Sequence, residues 1–122
     1  MKGYITLASL FAALAILFGA FGSHALKERL SVQSLEVYDT ATIYLMFHAL
    51  GIFLLALLGF RLPKESLKIP VIMMIVGTSI FSGSLYLIAM LNFKKLGMVT
   101  PIGGLLLINS WLLLAYNTYK TV

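Results

Sequence analysis

His48 is one of only two histidines in the chain, and it stands near the middle of residues 40–60, a stretch without a single charged side chain. An imidazole in such surroundings has three uses: it relays protons, binds a ligand, or serves as a hydrogen-bonding post between helices. Tyr44 precedes it by four residues and shares its face if the stretch is helical. The other histidine, His24, closes the preceding apolar stretch. With the two stretches antiparallel, His24 lies near the level of Thr40, and eight residues of helix separate that level from His48 by ~12 Å. This offset argues against paired haem ligation or a shared metal. The chain has no cysteine, which removes thiolate metal sites, thiol redox chemistry and disulfides. No metal and no cofactor are expected.

No aspartate or glutamate interrupts the long apolar stretches, so carboxylate-driven exchange of protons for a cationic solute lacks its essential group. Neither a serine, histidine and carboxylate constellation nor a phosphate-cradling glycine loop is visible. No catalytic residue is nominated, and the chain is not expected to be an enzyme.

The elements that position these residues follow from composition. The 122 residues are 61% hydrophobic and 11% charged, against about 45–50% and ~25% in soluble domains. Charges divide the chain into apolar stretches at 3–23, 40–60, 69–93 and 96–119, each at or above the ~20 residues that cross a bilayer as a helix. Backbone in lipid must satisfy its own hydrogen bonds, so only helices or closed barrels span it. The alternating polarity of barrel strands is absent. The expected fold is an all-α membrane protein, four transmembrane helices in an antiparallel up-down bundle, with 1–122 forming a single domain and spans at about 3–23, 40–60, 70–92 and 98–119. The first stretch also resembles a signal peptide, but its apolar run is longer than a secretory core of ~7–15 residues, so it reads as a retained helix.

The formal charge of +5 suits connections lying against anionic headgroups. The expected partners are the lipid bilayer and either a second copy or another membrane protein; no nucleic acid is expected. An even number of spans puts both ends on one side with Lys2, Arg61, Lys64, Lys68 and Lys120, against Lys27, Arg29, Lys94 and Lys95 opposite. This small excess favours cytoplasmic Met1 and Val122.

Small residues supply packing signals. Ala8, Ala12, Ala15, Gly19 and Gly22 recur at steps of four and three, forming a face that lets another helix approach closely. Ser79 and Gly83 repeat the spacing among Thr78, Ser82 and Ser84, hydroxyls that suit either adhesion between helices or a hydrated path. Pro70 and Pro101 each mark a helix start, where a missing N–H costs nothing, and Gly103 and Gly104 thin the last helix. Ser31 suits an N-cap leading Glu36 and Asp39 into the second span. Asn109 is a lone amide in the last stretch and is expected to face the bundle interior. Tyr4, Tyr116 and Tyr119 fit interfacial aromatic belts.

Four blocks of sequence, GAFGSHAL from Gly19, TATIYLMFHAL from Thr40, FSGSLY from Phe81 and TPIGG from Thr100, together resemble the domain of unknown function 423 family, whose animal relatives are called transmembrane protein 256. The family pattern more often has alanine at Ser23 and a Gly-Trp pair where Ser110 precedes Trp111. The resemblance implies a four-helix protein of the bacterial plasma membrane and supplies no activity, substrate or cofactor. It directs attention to Gly19, Gly22, His24, Tyr44, His48, Ser82, Gly83, Pro101 and Gly103. The leading functional expectation is a structural, assembly or membrane-integrity role. The alternative is a small oligomeric transporter or channel with a polar path near His48, and a ligand- or cofactor-binding subunit comes third.

Overall fold

Ser31 opens the most deeply buried of the four long helices. Its backbone is extended (φ −63°, ψ 163°) and its hydroxyl accepts the Ser34 N–H at 3.1 Å, which satisfies one of the donors that every helix start leaves unpaired. The computed structural model describes residues 2–121 apart from the Ser23 side chain; Met1 and Val122, whose side of the membrane was inferred from charge, lie outside the described residues. The first span comprises α1 (Lys2–Ile16), a π-helical turn (Leu17–Gly22) and α2 (Ser23–Leu26). The others are α3 (Val32–Leu58), α4 (Lys64–Leu91) and α5 (Thr100–Thr121), the last preceded by a 3₁₀ turn (Lys94–Met98). Four helical segments are long and apolar enough to cross a membrane, giving the all-α, four-span architecture.

The helices overrun the expected spans, α3 beginning at Val32 and α4 at Lys64. Charge marks where a chain leaves the hydrocarbon, whereas capping and turn geometry mark where a helix ends. Asn92 closes α4 in the left-handed conformation (φ 59°), with its N–H on the Ile88 carbonyl, as helix ends commonly do. Short connections make consecutive helices antiparallel neighbours. α1 packs on α3, α3 on α4 and α4 on α5. α3 and α4 are the two inner members of this series, and α3 buries the helical repeat Tyr38, Ala41, Leu45, Ala49, Ile52 and Leu55.

Pro101 sits at the start of α5, as its sequence context predicts, but Pro70 lies inside α4. A proline there removes one rung of the helix ladder and leaves the carbonyl four residues back without its donor. That carbonyl belongs to Ser66, and Asn117 of α5 donates to it through Nδ2 at 3.0 Å. The Pro70 carbonyl accepts a second bond from α5, from Ser110 Oγ at 3.0 Å, with Ser110 fully buried. The departure from the family pattern at Ser110 thus fastens the last helix to the proline turn. The departure at Ser23 lies outside the described side chains.

The small-residue face of the first span packs on α3. Ala8 and Ala15 are fully buried. A Cβ on Gly19 would come within 3.1 Å of Thr42 Cγ2, and one on Gly22 would collide with the Tyr38 hydroxyl. That hydroxyl donates to the Phe18 carbonyl at 2.6 Å, tying the π turn to α3. Between α4 and α5 the backbones meet at Gly77 and Gly103, where a Cβ on Gly103 would lie 2.9 Å from the Gly77 carbonyl. Gly83 makes no such approach, since a Cβ there would meet nothing within 4 Å. The Ser79 and Gly83 spacing therefore does not mark the seam, and Ser79 is exposed with its hydroxyl on its own helix at Ile75.

Candidate functional site

His48 points into the bundle and is 3% exposed. Its Nε2 lies 3.0 Å from Trp111 Nε1 on α5. An indole nitrogen only donates, so Nε2 must accept, and the ring proton of a neutral imidazole then sits on Nδ1. Nδ1 lies 2.9 Å from the Tyr44 carbonyl one turn back and donates to it. Both nitrogens are thereby used within the protein, and the ring is a neutral strut between α3 and α5. A protonated imidazolium would set two N–H groups against each other and lose the Trp111 bond.

Around this strut the aromatic side chains form a groove of about 510 Å³. Tyr44 packs its ring on Phe81 of α4 with centroids 4.7 Å apart, and Phe47 meets His48 edge-on at 5.1 Å. Trp111 lies 6.0 Å from Phe47, closing the α5 side. Ile43 and Ile108, both more than half exposed, form the lips, and Gly104 widens the entrance beside Phe81. The groove opens sideways from the helices at the depth of a mid-span residue, so its mouth faces hydrocarbon. Its surface is rings and aliphatic carbon, suited to an apolar occupant.

Of the hydroxyls singled out by the sequence, Ser82 and Ser84 join helices, whereas Thr78 and Ser79 bond back to their own. Ser82 Oγ donates to the Ala41 carbonyl at 2.8 Å, Thr42 and Tyr86 pair at 2.7 Å, and Ser84 meets Thr100 at 2.5 Å. Thr78 is buried and bonds back to Met74. Among the described residues, no buried side-chain nitrogen or oxygen lacks a hydrogen-bond partner. Membrane hydrogen bonds of this kind contribute ~0.6 kcal/mol each on average, so together they fix register.

Asn109, expected inside, faces outward. The phase of α5 is set by Gly103, Leu107, Ser110 and Leu114, all buried, and Asn109 falls off that face. Pro101 is also exposed. His24 lies in a different place from His48: it is exposed and lines a polar pocket with Gly19, Lys27 and Asp39 at the end of the first span. The candidate residues therefore divide into an aromatic groove at Tyr44 and His48, helix contacts at Gly19, Gly22, Ser82 and Gly103, the polar pocket at His24, and the outlying Gly83, Asn109 and Pro101. No group of three or more metal-ligating side chains occurs among the described residues.

The sequence reading passed over Trp111 as the partner of His48, and over Gly77, Tyr38, Tyr86 and Asn117. A signal existed for Trp111, since a buried indole needs an acceptor and a mid-span imidazole offers one. No local signal marks Asn117, which serves a carbonyl on another helix.

A family model described as a protein of unknown function (DUF423) matches residues 18–104. The chain is 38% identical to the UPF0382 membrane protein SSP2132 of Staphylococcus saprophyticus, over 98% of this chain and 99% of that one. It is 37% identical to the UPF0382 membrane protein YwdK of Bacillus subtilis, over 98% of each. A UPF0382 membrane protein of Haemophilus influenzae is 34% identical over 97% of this chain and 94% of its own. No solved structure matches.

Proposed function

Because the chain belongs to the DUF423 family, which has no assigned activity and whose bacterial relatives are membrane proteins, the groove is the guide to its role, and we propose that it is a non-enzymatic structural protein of the membrane that holds a hydrocarbon chain beside His48. The observation that carries this reading is the double commitment of the His48 ring to Tyr44 and Trp111. With both ring nitrogens spent, the groove offers shape and rings, with the Tyr44 phenol as the one side-chain hydroxyl in its lining, which is the profile of a binding surface. A transport path through the protein has less support, since the serine and threonine hydroxyls it would need are engaged between helices or back-bonded.

The chain's single tryptophan lines the groove and reports on its contents. In vesicles whose acyl chains carry bromine at mid-depth, Trp111 emission should be strongly quenched. Gly104→Leu should fill the entrance and relieve that quenching, because Gly104 lines the groove and a Cβ there meets Phe81 only at ordinary contact, 3.6 Å; an unchanged thermal midpoint checks that the fold accepts the side chain. Equal quenching in the two proteins would mean that the groove holds no chain.

We further place both termini in the cytoplasm, supported by the five-to-four excess of basic residues on their side. A cysteine added at each end should react with a membrane-impermeant maleimide only after the cells are opened. Labelling of both ends in sealed cells would reverse the orientation.

A further inference from the structure

The pocket at the far end of the first span has a character opposite to that of the groove. It measures about 420 Å³ and is lined by Gly19, Ala20, His24, Lys27, Leu35 and Asp39. It forms where the π turn brings the end of the first span against the start of α3, with Gly19 and Ala20 leaving its wall without bulk. A fixed cation, Lys27, and a fixed anion, Asp39, line one cavity, and both are exposed. Their place at the end of two apolar spans is the headgroup level of a bilayer.

Asp39 is followed at steps of four by Ile43 and Phe47, both outward-facing and both lining the groove. Eight residues of α3 separate Asp39 from Phe47 by ~12 Å, within the ~15 Å half-thickness of the hydrocarbon core. A molecule with its polar end at Asp39 thus has a continuous apolar track leading to Trp111.

We propose that this pocket binds the headgroup of a zwitterionic aminophospholipid, its phosphate toward Lys27 and His24 and its ammonium toward Asp39. The chain of that lipid is the occupant already assigned to the groove, so the full placement rests on that reading. A headgroup with phosphate and no amine satisfies Lys27 and leaves Asp39 facing an anion, and this distinguishes phosphatidylethanolamine from phosphatidylglycerol. Near a membrane surface one such charge is worth ~1 kcal/mol, or about five-fold in affinity.

The test uses the full chain, released in native mass spectrometry from micelles holding equal phosphatidylethanolamine and phosphatidylglycerol with identical acyl chains. Phosphatidylethanolamine should be retained about five-fold over phosphatidylglycerol. Asp39→Asn should abolish that preference, and Lys27→Gln should lower retention of both lipids. Because both side chains are exposed, thermal midpoints should stay at the wild-type value. Equal retention of the two lipids by the wild-type protein, or a preference that survives Asp39→Asn, overturns the assignment. Displacement of the lipid by inorganic phosphate alone at millimolar concentration also overturns it, in favour of a simple anion site. Brominated acyl chains read the groove separately: headgroup preference without Trp111 quenching refutes the groove reading and upholds the headgroup site, and quenching without preference does the reverse.

Discussion

Gly103→Ala should lower the thermal midpoint of the detergent-solubilised protein by roughly 10 °C, the upper end of what overpacking by one methyl group causes, ~3 kcal/mol. The added carbon would sit 2.5 Å from the Phe81 backbone nitrogen and 2.9 Å from the Gly77 carbonyl. These are main-chain atoms of a helix and cannot swing aside, so α4 and α5 must separate. Separation would also stretch the bonds from Ser110 to Pro70 and from Asn117 to Ser66. Gly83→Ala is the matched control, since open space surrounds that position and alanine gains up to ~1 kcal/mol of helix propensity. It should leave the midpoint unchanged or slightly raised. Similar midpoints for the two variants would show that the α4 and α5 backbones do not meet at Gly103.

The second large effect belongs to His48 and Trp111. His48→Leu should destabilise by about 1–3 kcal/mol, because it strands the Trp111 N–H in an apolar site without an acceptor. His48→Gln supplies an amide oxygen and should retain most of the stability. Trp111→Phe removes the donor and strands the other side of the same bond. The double variant His48→Leu with Trp111→Phe should therefore cost less than the sum of the single changes, with a coupling of about 1 kcal/mol. Thermal midpoints measured for all four proteins close the cycle. Strict additivity would mean that the 3.0 Å contact contributes nothing, and the strut reading of His48 would fall with it.

What the sequence makes legible here is governed by local physics. Apolar length gave four spans, Ser31 gave its cap, and the spacing of Ala8, Ala15, Gly19 and Gly22 gave a face that meets Tyr38 and Thr42 of α3. Helix starts were less legible. Pro70 reads as a beginning because an interior proline costs a hydrogen bond, and the group that compensates it, Asn117, lies on a later helix. Asn109 was misplaced for a related reason. One amide in an apolar run says nothing about helix phase, which is fixed by the backbone approach of Gly103 to Gly77. The groove itself could not be read, because Tyr44, Phe81, Gly104 and Trp111 come from three helices whose relative rotation is a property of the assembled bundle. His48 stood out by its type and depth, yet its role depends on an indole 63 positions away.

The proline turn of α4 has a consequence for biogenesis. A chain leaves the ribosome from its N-terminus, so α4 is synthesised and enters the bilayer before Ser110 and Asn117 exist. Until they arrive, the Ser66 carbonyl lacks the donor that completes it in the finished protein, while the Pro70 carbonyl, already within the α4 ladder, lacks only its second; a buried carbonyl without a donor is costly. The last helix therefore supplies a donor that α4 cannot supply for itself, and its docking completes the proline turn. A protein truncated before α5 is incomplete in a chemically specific way, with the Ser66 carbonyl left without its donor.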